Sequence, residues 1–298
     1  MASVKELRLR IKSVGSIKQI TRAMEMVAST KLRRFQDRAI CSRPYAQEIS
    51  ALVGHLAEVL GSEVADRPLF NEGAGEKTLV LMITSDRGLC GAYNSNLFGA
   101  LERWLRARKA EGLAEDSVDF YVYGKKGFQY LSKRGLNVEH FLVEPPLEAI
   151  DFANAAYTSN QLIKAFLSGE YKRVELLFSA FESMARFVPR FVPFLPIEQV
   201  ESAEGEESAK ADGADVILEP DAETIFDHLL PRYLEIRIYN ALLESLTSEF
   251  ASRRFSMKNA TEAANDMQGV LKGLYNRQRQ SSITMELLDI VGGVEALK

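Results

Sequence analysis

Apolar positions recur at helical spacing through the last quarter of the chain, and no proline follows Pro231. Ile225, Leu229, Leu230, Leu234, Ile238, Leu242, Leu246 and Phe250 fall on one side of a helix. Met257, Ala260, Ala264, Met267, Leu271 and Leu274 continue the stripe with smaller residues, as close approach of a partner helix would require. The 67 residues after Pro231 would span about 100 Å as one helix. Average globular helices run about 11–12 residues, so this stripe must find most of its packing outside a compact core of its own. Gly269 and Gly273 fit the same demand or mark a bend.

A second long helix opens the chain, over about residues 3–43. Val4, Leu7, Ile11 and Val14 recur at spacings of three and four; Ile17, Ile20, Met24 and Val27 repeat that rhythm after a local shortening. This predicts a coiled-coil seam with a register slip. Pro44 is expected to break or kink the helix, and another helical run follows over residues 45–60. The two terminal helices imply a shaft, with a segment of different texture between them.

From Lys77 the period changes. Residues 78–84 form a nearly unbroken apolar run, as in a strand buried on both faces. Helices are expected over residues 94–111, 125–134 and 151–168, and strands over 118–123, 138–143 and 173–178. This alternation predicts an open, Rossmann-like α/β sheet. Residues 187–195 read as a strand but contain Pro189 and Pro193, which places them at a sheet edge. Residues 201–215 are acidic and read as a surface loop, 216–218 as a short last strand, and the acids from Glu219 suit the start of the final helix. The expected fold class is α/β: an antiparallel coiled coil of the terminal helices plus a central α/β domain. Its segments are 1–60, 75–200, 201–218 and 219–298.

Charge changes this picture more than bulk composition does. The net charge of −4 conceals a first helix that carries +8 over residues 1–43 and a stretch of −8 over residues 198–221. A basic helix is either a solvated face or a surface for an acidic partner or nucleic acid. The N-terminus lacks the apolar core of a secretory signal, and no run approaches a membrane span. The reading is a cytoplasmic chain. Cys41 and Cys90 are expected to be free thiols, and His55, His140 and His228 show no metal-ligand spacing.

The tempting chemical site is residues 83–94, Ile-Thr-Ser-Asp-Arg-Gly-Leu-Cys-Gly-Ala-Tyr-Asn, between a buried strand and a helix. Its glycines, Gly88 and Gly91, make neither a dinucleotide fingerprint nor a P-loop. It reads as a tight strand-to-helix turn that needs glycine dihedrals. No nucleophile elbow or histidine dyad stands out, so no catalytic, cofactor or metal residue is assigned. A polar crowd from Asn276 to Glu286 on the final helix is either solvated or a surface that makes and breaks contacts with partners.

Four stretches together resemble the gamma subunit of F-type ATP synthases. They are Ile-Thr-Arg-Ala-Met-Glu-Met-Val-Ala at 20–28, Thr-Ser-Asp-Arg-Gly-Leu-Cys-Gly at 84–91 with Asn94, Met-Lys-Asn-Ala-Thr at 257–261, and Tyr-Asn-Arg-Gln-Arg-Gln-Ser-Ser-Ile-Thr-Met-Glu at 275–286. The resemblance covers the chain and implies a noncatalytic rotor: terminal helices paired inside a hexamer of alpha and beta subunits, with the base on a membrane ring of c subunits and bound to epsilon. It implies peripheral attachment to the cytoplasmic face of a bacterial inner membrane. It also implies that Met24 faces an acidic lever of beta, that Arg279 and Gln280 contact a beta loop, and that Arg253, Thr284 and Glu286 take part in coupling. Glu219 matches an acid at the ring-facing base. Gly292 and Val294 depart from the small residues usual near the end of the family's last helix, and no regulatory insertion with paired cysteines is present. The alternatives to a rotor are a structural coiled-coil adaptor and a nucleic-acid binder using the basic helix.

Overall fold

The structure is a computed structural model that describes residues 3–112, 114, 117–184, 186–197 and 219–295. The acidic loop at 201–215 and the strand expected at 216–218 lie outside the described residues. The chain divides into two compact units, Met1–Thr30 with Arg253–Lys298, and Lys31–Ser252. Two helices run through both: α1 (Val4–Leu60) and α6 (Ala222–Glu295).

The larger unit holds a five-stranded sheet in the order β3-β2-β1-β4-β5. Its strands are β1 (Lys77–Ile83), β2 (Val118–Tyr123), β3 (Asn137–Leu142), β4 (Tyr171–Ser183) and β5 (Arg186–Leu195). The first four run parallel, and β5 returns antiparallel along β4 as an edge strand, where Pro189 and Pro193 are tolerated. Between them lie the short α2 (Ser62–Ala65), then α3 (Tyr93–Ala110), α4 (Lys125–Arg134) and α5 (Phe152–Leu167). Each expected strand and helix of the sheet domain is present, with ends within a few residues.

Alternation along the strands sorts the two faces. Val80, Met82, Phe120 and Val122 pack with Leu97 and Leu101 of α3 and Leu131 of α4 in one buried cluster. On the opposite face the Tyr123 hydroxyl meets the Thr158 hydroxyl of α5 at 2.6 Å. Because β1 has neighbours on both edges and helices on both faces, Leu79 to Ile83 are fully buried.

Within the same unit α1 and α6 run antiparallel: Phe35 stacks on Phe250 at 5.4 Å, and the Ser42 hydroxyl donates to Asn240 Oδ1 at 3.3 Å. The stretch of α6 from Tyr233 to Ser252 is buried almost all round, and two of its small hydroxyls find acceptors in the sheet domain. Ser248 Oγ donates to Ser179 O at 3.0 Å and Ser252 Oγ to Cys90 O at 2.6 Å. Buried polar groups need such partners.

Of the break or kink expected at Pro44, the break is absent: α1 continues through the proline. The proline is exposed, and so is Ile40, whose carbonyl loses its donor there and can be hydrated instead. Buried Leu32 and Phe35 before it, and Ile49, Val53 and Leu56 after it, hold the helix on both sides of the defect.

Candidate functional site

Two places can be weighed as sites: the crevice at the carboxyl ends of the parallel strands, and the paired helix ends of the smaller unit. The crevice is where open α/β sheets hold phosphates, on helix N-termini. Here the chain's own Thr84-Ser85-Asp86 fills it. The first three N–H groups of α4 donate to this tripeptide: Lys125 to Asp86 Oδ1 at 3.1 Å, Lys126 to Ser85 O at 3.1 Å, and Gly127 to Thr84 Oγ1 at 2.9 Å. Asp86 Oδ2 accepts the Leu147 N–H at 3.3 Å. The anion position at α4 is therefore taken by a carboxylate of the protein. The contact is close enough to demand glycine on the other side: a Cβ at Gly124, whose φ is +92°, would lie 2.2 Å from Thr84 O.

The rest of the motif faces the helix pair. Ser85 N donates to Asn94 Oδ1 at 3.2 Å, and Asn94 Nδ2 donates to Ser85 Oγ at 2.7 Å, which ties the loop to the first turn of α3. The Tyr93 hydroxyl meets Ser245 Oγ at 2.6 Å, so the loop and α6 are joined at Tyr93 and again at Cys90. Gly91 takes a left-handed φ of 57°, as expected of a glycine in this turn. Gly88 does not; Leu89 adopts φ 63° instead, with its side chain 62% exposed. Nothing in a leucine announces that conformation. The loop braces the fold.

In the smaller unit the two helix ends pair antiparallel. Thr261 Oγ1 meets Thr21 Oγ1 at 2.8 Å, and Lys18 Nζ donates to Asn265 Oδ1 at 2.6 Å. A Cβ on Gly15 would touch Gln268 Nε2 at 3.1 Å, so Gly15 is the residue that permits close approach. Gly269 and Gly273 have open space around them and neither seats a partner helix. Val4, Leu7, Ile11, Val14, Lys18, Thr21, Glu25 and Ala28 on α1 are less exposed and follow a heptad rhythm, with Gly15, Met24 and Ser29 half-buried beside them. Of the residues expected to continue the seam after a register slip, Ile17, Ile20 and Val27 point outward at 52%, 59% and 55% exposure, and Met24 alone is half-buried beside it. On α6 the seam is Met257, Thr261, Ala264, Gln268, Leu271, Tyr275, Gln278 and Ser282. Met267 and Leu274, expected in it, are exposed.

The pair carries apolar residues on both sides. Its seam mixes Val4, Leu7, Ile11, Val14, Met257 and Leu271 with polar Lys18, Thr21, Thr261 and Gln268, while Leu9, Ile17, Ile20, Met26, Val27, Phe255, Met267 and Val270 face outward. Lys5, Arg8, Arg10, Lys12 and Arg22 share the outer surface. Continuing the register of Thr21 with Thr261 brings Val4 level with residues 278–279. From Ile283 to Val294 every side chain is exposed, including Ile283, Met285, Leu287, Leu288, Ile290, Val291 and Val294. Thr284, Glu286 and Asp289 are the polar residues of this stretch; an exposed apolar surface this wide calls for a covering partner.

The residues singled out from sequence fall into two groups. Met24, Arg253, Arg279, Gln280, Thr284 and Glu286 belong to the smaller unit, and Glu219 to the larger. Arg279, Gln280, Thr284 and Glu286 lie exposed on consecutive turns of α6, with the Thr284 hydroxyl donating to Gln280 O at 2.9 Å. Met24 is half-buried beside the seam and Arg253 is buried. Glu219 is exposed just ahead of α6, whose first turn is capped by Asp221 accepting the Thr224 N–H at 2.8 Å. That bond and the Thr224 hydroxyl hold the Asp221 carboxyl below its usual range. Ile17, Ile20, Val27 and Met267, whose spacing predicts a place inside the pair, lie on its outward stripe.

The chain matches the family model described as ATP synthase over residues 3–297. It is 40% identical over 299 residues to the ATP synthase gamma chain of Cytophaga hutchinsonii, covering 100% of this chain and 99% of that one. Among solved structures it resembles a chain of the central stalk and c-ring of the mitochondrial ATP synthase of Tetrahymena thermophila, with 26% identity, TM-score 0.59, and coverage of 81% of this chain and 99% of that chain. A chain of the Euglena gracilis mitochondrial ATP synthase has the same fold at 18% identity and TM-score 0.63, covering 99% of this chain and 94% of that one.

Proposed function

The chain belongs to the gamma-chain family of ATP synthases, and from that premise we infer that it is the central-stalk rotor subunit of an F-type ATP synthase. It catalyses nothing itself. It couples proton flow through a membrane c-ring to ATP synthesis and hydrolysis on the beta subunits, turning inside the hexamer of alpha and beta and carrying epsilon. A coiled-coil adaptor would not need a family-wide match of this extent, and that alternative is not favoured.

The observation that carries the mechanism is the apolar outer surface of the helix pair. Apolar residues on its outer surface, and a last stretch of α6 apolar over most of its circumference, call for a sleeve supplied by other subunits. The basic residues of α1 suit acidic groups on that sleeve. Contacts between exposed charges are weak and screened, so they can be remade as the shaft turns. Differential contacts around an asymmetric shaft then shift each beta subunit between affinities in sequence. On this reading Met24 meets an acidic lever of beta, Arg279 and Gln280 touch a beta loop, Arg253, Thr284 and Glu286 transmit coupling, and Glu219 faces the ring. The exposure of Arg279, Gln280, Thr284, Glu286 and Glu219 supports those roles.

The functional segments are the first shaft helix with its continuation (1–60), the α/β domain (75–200), the acidic segment (201–218) and the last shaft helix (219–298). Attachment to the membrane is peripheral, through the complex; no helix of the described residues is long and apolar enough to cross a membrane. The complex sits on the cytoplasmic face of a bacterial inner membrane. Co-expression with alpha and beta subunits tests the reading. The chain should co-purify with them and support ATP hydrolysis, and the pure chain should hydrolyse none. Sustained ATPase activity by the pure chain would overturn the noncatalytic assignment.

A further inference from the structure

We propose that Arg67 is the clamp that fastens the base of α6 to the sheet domain, and that rotation delivered at that base reaches the domain through it. This rests on the rotor reading above. Arg67 lies between α2 and the 3-10 turn Pro68–Phe70. Its guanidinium pairs with Asp227 and reaches Glu223 Oε1 at 3.3 Å, two carboxylates one turn apart on α6. It also lies over the ring of Phe226, 5.0 Å from the centroid, and Phe226 stacks in turn on Phe70 at 6.0 Å. The Arg67 side chain is 16% exposed, while Glu223 and Asp227 are 67% and 56% exposed. A largely buried, planar cation thus grips two surface acids and the buried aromatic between them. Lysine, a compact point charge, cannot span both acids and stack at once.

The backbone around Arg67 is tied to the sheet. Leu69 O accepts the N–H of Ile197, just past β5, at 2.8 Å. The Asn71 side chain donates back to Arg67 O at 3.2 Å and braces the turn. One short segment therefore holds both the end of β5 and the start of α6. A brace that served only stability would not need to sit between these two ends. A clamp must, because any load applied at Glu219 and the first turns of α6 meets the sheet domain there.

The test uses the whole complex in proton-tight vesicles, measuring ATP hydrolysis and ATP-driven proton uptake together. The variants are Arg67→Met, which keeps the apolar stem, Arg67→Lys, and the pair Glu223→Gln with Asp227→Asn. Arg67→Met and the acid pair should each lower proton uptake per ATP hydrolysed, by a similar amount because both break the same contact. Hydrolysis itself should persist. Arg67→Lys should fall between, and combining Arg67→Met with the acid pair should cost no more than either alone. Unchanged uptake per ATP in the variants, or additive losses, would overturn the clamp. If Arg67→Met fails to fold, the acid pair decides, since both acids are on the surface. Failure of the unmodified complex to pump would instead sink the rotor reading.

Discussion

Replacing Asp86 by alanine removes two acceptors at once and separates a structural motif from a chemical one. Oδ1 holds the Lys125 N–H at an exposed position, where water can substitute, and Oδ2 holds the Leu147 N–H at a partly buried one. Loss of a side-chain cap at a helix N-terminus costs about 1 kcal/mol. A partly buried N–H left without an acceptor costs about 1–2 kcal/mol more. Asp86→Ala should therefore destabilise the sheet domain by about 2–3 kcal/mol. Asp86→Asn keeps one acceptor oxygen and turns an NH₂ toward the other N–H, so about half of that loss is expected. The single tryptophan reports on this domain: Trp104 stacks on Phe191 at 4.8 Å and donates to Glu175 at 3.1 Å. Urea unfolding followed by Trp104 fluorescence should show lower midpoints in the order alanine below asparagine below the unchanged protein, at constant slope. Losses under about 0.5 kcal/mol in both variants would refute the capping argument, because surface substitutions without such bonds lie in that range.

Three further outcomes follow. Burial raises the Glu244 carboxyl pKa against the opposing Phe181 N–H and the cations Arg190 and Arg43, so the folded chain holds that proton more tightly than the unfolded chain. Ionisation at Glu244 then costs stability as pH rises above the unfolded value of about 4.3. Glu244→Gln should stabilise the protein at neutral pH, with the gain vanishing as pH falls below about 4; a pH-independent difference in denaturation midpoints would contradict this. Amides of residues 283–294 should exchange at least ~100-fold faster than those of residues 233–252 in the free chain and slow on assembly, whereas equal protection in the free chain would contradict the need for a sleeve. Arg279→Ala with Gln280→Ala should leave the Trp104 unfolding transition unchanged and lower ATP synthesis in reconstituted vesicles, and unchanged synthesis would remove those residues from the coupling surface.

The sheet domain was legible because strands buried on both faces read as short apolar runs and their ends carry turn residues. Val118–Tyr123 and Lys125–Arg134 coincide with expectation at both ends. The smaller unit was legible as long helices but not as to which side faces in. A period argument sends apolar residues inward, and here Ile17, Ile20, Val27, Met267 and Leu274 turn outward, while Lys18, Thr21, Thr261 and Gln268 fill the seam. The burial those residues need comes from other chains, which leave no trace in this one. The role of Thr84-Ser85-Asp86 was missed for a different reason: its acceptors serve α4, some forty residues downstream, and only the assembled sheet brings the two together.

Single-complex rotation tests the central claim most directly. A probe can be fixed through Lys133→Cys on the exposed side of α4, with exposed Cys41 replaced by serine and Cys90 left buried. With the hexamer of alpha and beta immobilised, addition of ATP should turn the probe continuously in one direction, and withdrawal of ATP should stop it. Steady ATP hydrolysis by the same complexes with a stationary or randomly jittering probe would contradict the rotor account.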